Sequence, residues 1–354
     1  MYQPKLKALL AFLIISVFIF SACSKGAPET TSNPTNPTTQ PATPQKGWQK
    51  LGDLDIVVAN AFTFEKEGKL YVSAAEVLDA TAHPKTYTYS VYELDVAAKK
   101  LKKLGSQNGS ANMNNANTAA FMVGESIYFY FASTNSLLAF NTLTGNWSAR
   151  AAIPNNSGEE TPSRFAIGGY THSGKGYVFA GVIHTGLQMD MVQLYEYDPA
   201  ANAWTSVKLW GTSTEYAAHG FKHDNSFYFM SNLKKLYRYQ IGGTTLENLG
   251  TTPSNKLALS PFVVVKNNKA YMGTGGEFTL DSNGNLSGDN TSDETWSLDL
   301  ATYTWTKIDN FGGGKRRGAT GYLFNNNIYI LGGQSGNTAT KQLDAKADLW
   351  QYVD

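Results

Sequence analysis

From residue 47 onward the chain alternates short apolar runs with turn residues, and the pattern repeats. One tyrosine recurs in the same setting: Tyr71, Tyr128, Tyr177, Tyr228, Tyr271 and Tyr329, at intervals of 57, 49, 51, 43 and 58 residues. Seven positions before each stands Phe64, Phe121, Tyr170, Phe221, Val264 or Tyr322. Three before stands Gly68, Glu125, Gly174, Asn225, Asn268 or Asn326. Apolar, turn, apolar at this spacing predicts a β-hairpin, with strands a and b.

A third strand, c, alternates with period two at Tyr92, Leu138, Tyr195, Tyr237, Trp296 and Trp350. Nine residues after five of these anchors comes another apolar residue: Leu101, Trp147, Trp204, Leu246 and Trp305. That constant offset predicts strand d and a tight c–d turn. The sixth repeat ends at Asp354 without a d strand, while Gly47-Trp48-Gln49-Lys50-Leu51 reads like a d strand standing alone before the first repeat. The pattern predicts an all-β, six-bladed β-propeller of four antiparallel strands per blade, with the N-terminal strand closing the last blade and removing the open edge.

The residues that carry a family likeness are Gly332-Gly333 after NIYIL, the weaker Ala180-Gly181 and Gly275-Gly276, and the Trp that follows Tyr-Asp in 194–205. They resemble the kelch-repeat propellers. Blades one, two and four lack the Gly pair and join on spacing alone. The resemblance implies a fold and says little about activity.

The first 46 residues are of another kind. Lys5 and Lys7 precede an uncharged run from Ala8 to Phe20, of signal-peptide rather than membrane-spanning length. It ends in Phe20-Ser21-Ala22-Cys23, which resembles the lipobox of bacterial lipoproteins, although that pattern prefers Leu where Phe20 stands. The resemblance implies lipidation at Cys23, the chain's single cysteine. It also implies a location in the bacterial cell envelope, at the outer membrane on its periplasmic or surface side. Residues 23–46 are rich in Pro and Thr, carry no apolar side chain larger than Ala after Cys23, and read as a disordered tether. The expected division is thus 1–22 signal peptide, 23–46 lipidated Cys and tether, and 47–354 propeller.

Composition narrows the function classes. The 354 residues carry a net charge of +1, with 16% charged and 13% aromatic side chains. The absence of a basic excess argues against nucleic acid. One cysteine excludes an internal disulfide and a CxxC site. It also excludes the copper radical oxidases related to galactose oxidase, whose kelch-like propeller needs a Cys–Tyr crosslink. Asp281 to Leu286 fits an accessory hairpin turn better than a calcium loop, because an EF-hand would need Gly and Glu where Leu286 and Ser292 stand. No cofactor and no metal are expected, and a monomer is.

Two faces follow from the meander. The a–b and c–d turns share one face and are short. The b–c connections lie on the other, and from b tyrosine to c anchor they span 21, 10, 18, 9, 25 and 21 residues. Blades one, three, five and six therefore carry the long loops, where ligands are usually held. Strand a is innermost, so its entrance lines the channel. Thirteen positions before the b tyrosines stand Asn115, Arg164, Glu215 and Arg316 in blades two, three, four and six; eleven before stand Asn60 and Asn117; nine before, in blade four, stands His219. Arg suits carboxylates and Asn suits hydroxyls. These residues read equally well as partners of one another or of loop backbone.

Two functions stay open. The first is a membrane-tethered module that captures a glycan or a protein on the variable face. The second is a sugar-modifying enzyme resembling the kelch epimerases that act on sialic acid. The resemblance implies an Arg-rich mouth with an acid–base pair, which Arg164, Arg316, Glu215 and His219 could imitate without matching a family motif.

Overall fold

The structure is a computed structural model, which describes residues 46–79, 86–108, 118–154, 163–183, 189–212, 217–282 and 285–354. Its body, Pro44–Asp354, contains six four-stranded antiparallel sheets, with strand a of one blade packed beside strand a of the next. Cys23 and the rest of the expected tether up to residue 45 lie outside the described residues.

The spacings seen in the sequence are the register of these sheets. Each b tyrosine sits directly opposite the residue seven positions before it, from Phe64↔Tyr71 through Tyr322↔Tyr329. Three of these pairs stack face to face at 4.8–5.1 Å: Phe121–Tyr128, Phe221–Tyr228 and Tyr322–Tyr329. All six tyrosines are buried, at no more than 8% exposure. The constant c-to-d offset likewise becomes one repeated register, Leu94↔Leu101, Phe140↔Trp147, Tyr197↔Trp204, Tyr239↔Leu246 and Leu298↔Trp305. The a–b turns fit because they carry positive φ at Glu67-Gly68, Ser173-Gly174, Asn267-Asn268 and Asn325-Asn326, as two-residue hairpin turns require.

Blade six closes as the orphan strand predicts. Gly47–Asp53 pairs antiparallel with Asp348–Val353, with Trp48 opposite Tyr352. Trp48 then meets Phe311 edge-on at 5.0 Å and Phe262 at 5.7 Å, so the seam is packed as well as hydrogen-bonded.

The glycine pairs are offset by one residue between blades. Gly333 N–H donates to Val58 O in the next blade, and Gly275 N–H donates to Arg316 O in the same way. Gly275 is therefore the counterpart of Gly333, and Thr274 stands where blade six has Gly332. Thr274 takes the left-handed φ of 60° that Gly332 takes at 62°. A β-branched residue seldom adopts that conformation, which hid the equivalence in the sequence. At Gly332 a Cβ would sit 1.9 Å from Val58 O, so glycine is required there.

The b–c connections differ in kind. In blade one, strands b and c simply lengthen, Lys69–Asp79 and Thr86–Asp95, and in blade three they run Lys175–Ile183 and Met189–Asp198. Blade five instead inserts a separate hairpin, Phe278–Leu280 with Leu286–Asp289, and blade six inserts Gln334–Asn337 with Gln342–Ala345. The Asp281–Leu286 turn is thus part of an accessory hairpin.

Candidate functional site

The six a strands enclose a central cavity of about 870 Å³. Its wall is mostly backbone edge and small residues, among them Gly168, Gly169, Gly220 and Gly321. At one end a belt ties three neighbouring blades together. Gly318 N–H donates to Ser260 O at 2.9 Å, and Asn60 N–H donates to Gly318 O at 2.7 Å. All three residues have left-handed backbone, φ 49° at Asn60, 54° at Ser260 and 64° at Gly318. They share the position eleven before the b tyrosine, so the repeat reproduces a conformation as well as a spacing. Threonines satisfy further inward carbonyls: Thr320 Oγ1 donates to Ala61 O at 2.9 Å and Thr63 Oγ1 to Gly321 O at 3.3 Å.

Few ionisable groups enter this cavity. His219 lines it from blade four, half-buried, and burial lowers its pKa to about 4, so the imidazole is neutral at physiological pH. Lys222, on the same strand, also faces it. Burial lowers its pKa, and the nearby Asp224 carboxylate opposes the shift. Tyr170 reaches in from blade three, with its pKa raised by burial. Lys66 lines the wall from blade one and is held by Glu125 of blade two.

The residues singled out in the sequence meet different fates. Asn60 and His219 both line the cavity. Arg164 lies on strand a of blade three with its backbone opposite Val182. Asn115, Asn117 and Glu215 lie outside the described residues, so the Glu215–His219 pair does too. Arg316 is not at the mouth. It is 1% exposed and forms a two-pronged ion pair with Asp348, while its Nη1 also donates to Gly332 O at 2.8 Å and its Nη2 to Gly313 O. Its guanidinium lies 4.9 Å from the centre of the Phe311 ring. It belongs to the packing of blade six because the buried Asp348 carboxylate, at the start of strand c, takes it.

The sequence offers its neighbour only as part of the basic cluster Lys315-Arg316-Arg317 on a Gly-rich turn, not as a site residue. Arg317 is half-buried, with its guanidinium 4.8 Å from the centre of the Phe278 ring at the root of the blade-five hairpin. Burial lowers its pKa, opposed by Glu277. Successive residues of extended chain point to opposite sides, so in Lys315-Arg316-Arg317 only one of the two arginines could take the inward place.

Among the described residues no group of three or more His, Cys, Asp or Glu is placed to hold a metal ion, and no helix is long and apolar enough to cross a membrane.

Comparisons with known proteins agree with this geometry. Neither a family model nor a curated protein matches the sequence. Solved structures do match the fold. The structure of YjhT is 13% identical, with a TM-score of 0.57 over 84% of this chain and 95% of that one. A fungal alcohol oxidase of the AA5 family, in complex with copper, is 16% identical, with a TM-score of 0.53 over 85% of this chain and 67% of the other. Trypanosoma rangeli sialidase is 10% identical, with a TM-score of 0.57; the match covers 84% of this chain but only 55% of the sialidase. At these identities the likeness is one of fold: the chain is a six-bladed β-propeller.

Proposed function

We propose that this protein is a lipid-anchored module of the bacterial envelope that captures a glycan or a protein on the face built by its b–c connections. The observation that carries this reading is the asymmetry of the two faces. The a–b side is closed by two-residue turns, whereas on the b–c side blades one and three extend their strands and blades five and six add hairpins. A rigid ring with one elaborated face is the arrangement in which connections carry recognition. The test is a glycan array, with a parallel panel of envelope proteins, probed with the full chain. Saturable binding should be lost when the blade-five hairpin is shortened, with the melting temperature kept. Binding that survives the loss of each of the four long connections in turn would overturn the assignment.

One observation favours an enzyme as the second reading. His219 presents a neutral imidazole to an 870 Å³ cavity, as an acid–base group would. Epimerisation of a sugar acid followed by proton NMR, lost in His219→Gln, would support it; no turnover across a sugar panel would end it.

A further inference from the structure

Arg316 and Arg317 are adjacent, and each leaves its Nε buried without a partner, yet only Arg316 has its terminal nitrogens paired. Asp348 takes Arg316. The acids of the two hairpins are engaged elsewhere: Asp289 by Thr291 and the Gly336 N–H, and Asp344 by Asn337. Glu277 acts on Arg317 through its charge but forms no ion pair with it. Among the described residues, the Arg317 guanidinium makes no hydrogen bond. Its Nε is buried without a partner, and its two terminal nitrogens, which have none either, are not sealed in with it. An unmade buried donor is costly, and the unpaired terminal nitrogens set Arg317 apart from Arg316, whose own are taken by Asp348, Gly332 and Gly313.

This side chain is nevertheless held firmly. The guanidinium lies over the Phe278 ring, 4.8 Å from its centre. The backbone is locked by an antiparallel bridge, Arg317 N–H to Gln334 O at 3.0 Å and Gln334 N–H to Arg317 O at 2.9 Å. Gly318, the next residue, is pinned in the belt around the channel. Phe278 begins the blade-five hairpin and Gln334 begins that of blade six. A planar cation with open donors thus stands where the two hairpins are rooted, already ordered before anything binds.

We propose that Arg317 is the anchor of an oxyanion site on the variable face, taking the carboxylate or phosphate group of a hydroxylated ligand. The terminal nitrogens match the oxygen spacing of either group. The Phe278 ring beside them offers an apolar face to the rest of the molecule. This deepens the reading of the face as a capture surface and rests on it.

The test follows the Arg317 Nε–H signal by NMR in the full chain, titrated with glucuronate, glucose 6-phosphate and glucose at constant ionic strength. A saturable shift with glucuronate or glucose 6-phosphate, and none with glucose, is expected; which of the two acts identifies the group. In Arg317→Gln the affinity read from neighbouring backbone signals should fall at least tenfold, with Arg317→Lys intermediate. The lysine variant and an unchanged melting temperature guard against misfolding. No response beyond that to chloride, or an equal response in Arg317→Gln, overturns the site. Array binding confined to neutral glycans with Arg317 silent would defeat the oxyanion site and leave the capture surface standing. An Arg317 response with an empty array would do the reverse.

Discussion

Asp348 grips Arg316 with both carboxylate oxygens, Oδ1 at 2.6 Å from Nη1 and Oδ2 at 2.9 Å from Nη2, inside blade six. The same Oδ2 accepts from Trp350 Nε1 at 2.8 Å. Removing one partner strands a buried charge, which typically costs about 3–5 kcal/mol. Asp348→Leu should therefore lower stability by about that amount, whereas the double change Arg316→Met with Asp348→Leu should cost clearly less than the two singles added together. Urea denaturation of the four proteins gives the cycle, and simple additivity would show that the pair is not coupled.

The closing strand makes a second prediction. Deleting residues up to Asp53 removes Trp48 from Phe311 and Phe262 and bares the edge of Asp348–Val353. An exposed strand edge invites association. The truncated protein should melt well below a form beginning at Lys46 and should aggregate at concentrations where that form does not. Matching melts with no light scattering would contradict the closure.

The d-strand tryptophans should separate. Trp204 is 8% exposed and donates from Nε1 to Ala151 O at 2.7 Å, while Trp147 and Trp305 are only half-buried. Trp204→Ala should cost about 3–5 kcal/mol, and the same change at Trp305 distinctly less. Equal losses in chemical denaturation would mean that burial is not what distinguishes them.

His219 sets a pH dependence. Its pKa falls from the ordinary 6.5 to about 4 on folding. As pH drops through that interval, the unfolded chain accepts a proton that the native imidazole refuses. The unfolded state then binds more protons, so stability decreases from about pH 6.5 to pH 4. His219→Gln should flatten that slope. Urea midpoints for both proteins at pH 7 and pH 4.5 would decide it, and parallel losses would assign the slope to other groups.

The ring was legible in the sequence because each blade repeats the same pairings. Seven residues separate Phe64 from Tyr71 and Tyr322 from Tyr329 because a two-residue turn fixes which positions face each other. The site was far less legible. Strand periodicity says that Arg316 and Arg317 face opposite sides, but not that Asp348, 32 residues away, claims the first. Nor does it say that Phe278, from an inserted hairpin, lies against the second. Such partners come from different repeats, and in one sequence nothing links them. Thr274 was missed for another reason: a residue that disfavours left-handed backbone occupies a place that its repeat normally gives to glycine.

The direction of the closing strand has a mechanical consequence. Gly47 lies opposite Val353, where strand c of blade six runs out toward the turn face, so the closing strand begins on the side opposite the elaborated connections. A pull applied at Gly47 along the strand would run lengthwise through Gly47–Asp53 and be shared by the whole ladder with Asp348–Val353 at once. The strand that shuts the ring is thereby also the one placed to bear tension.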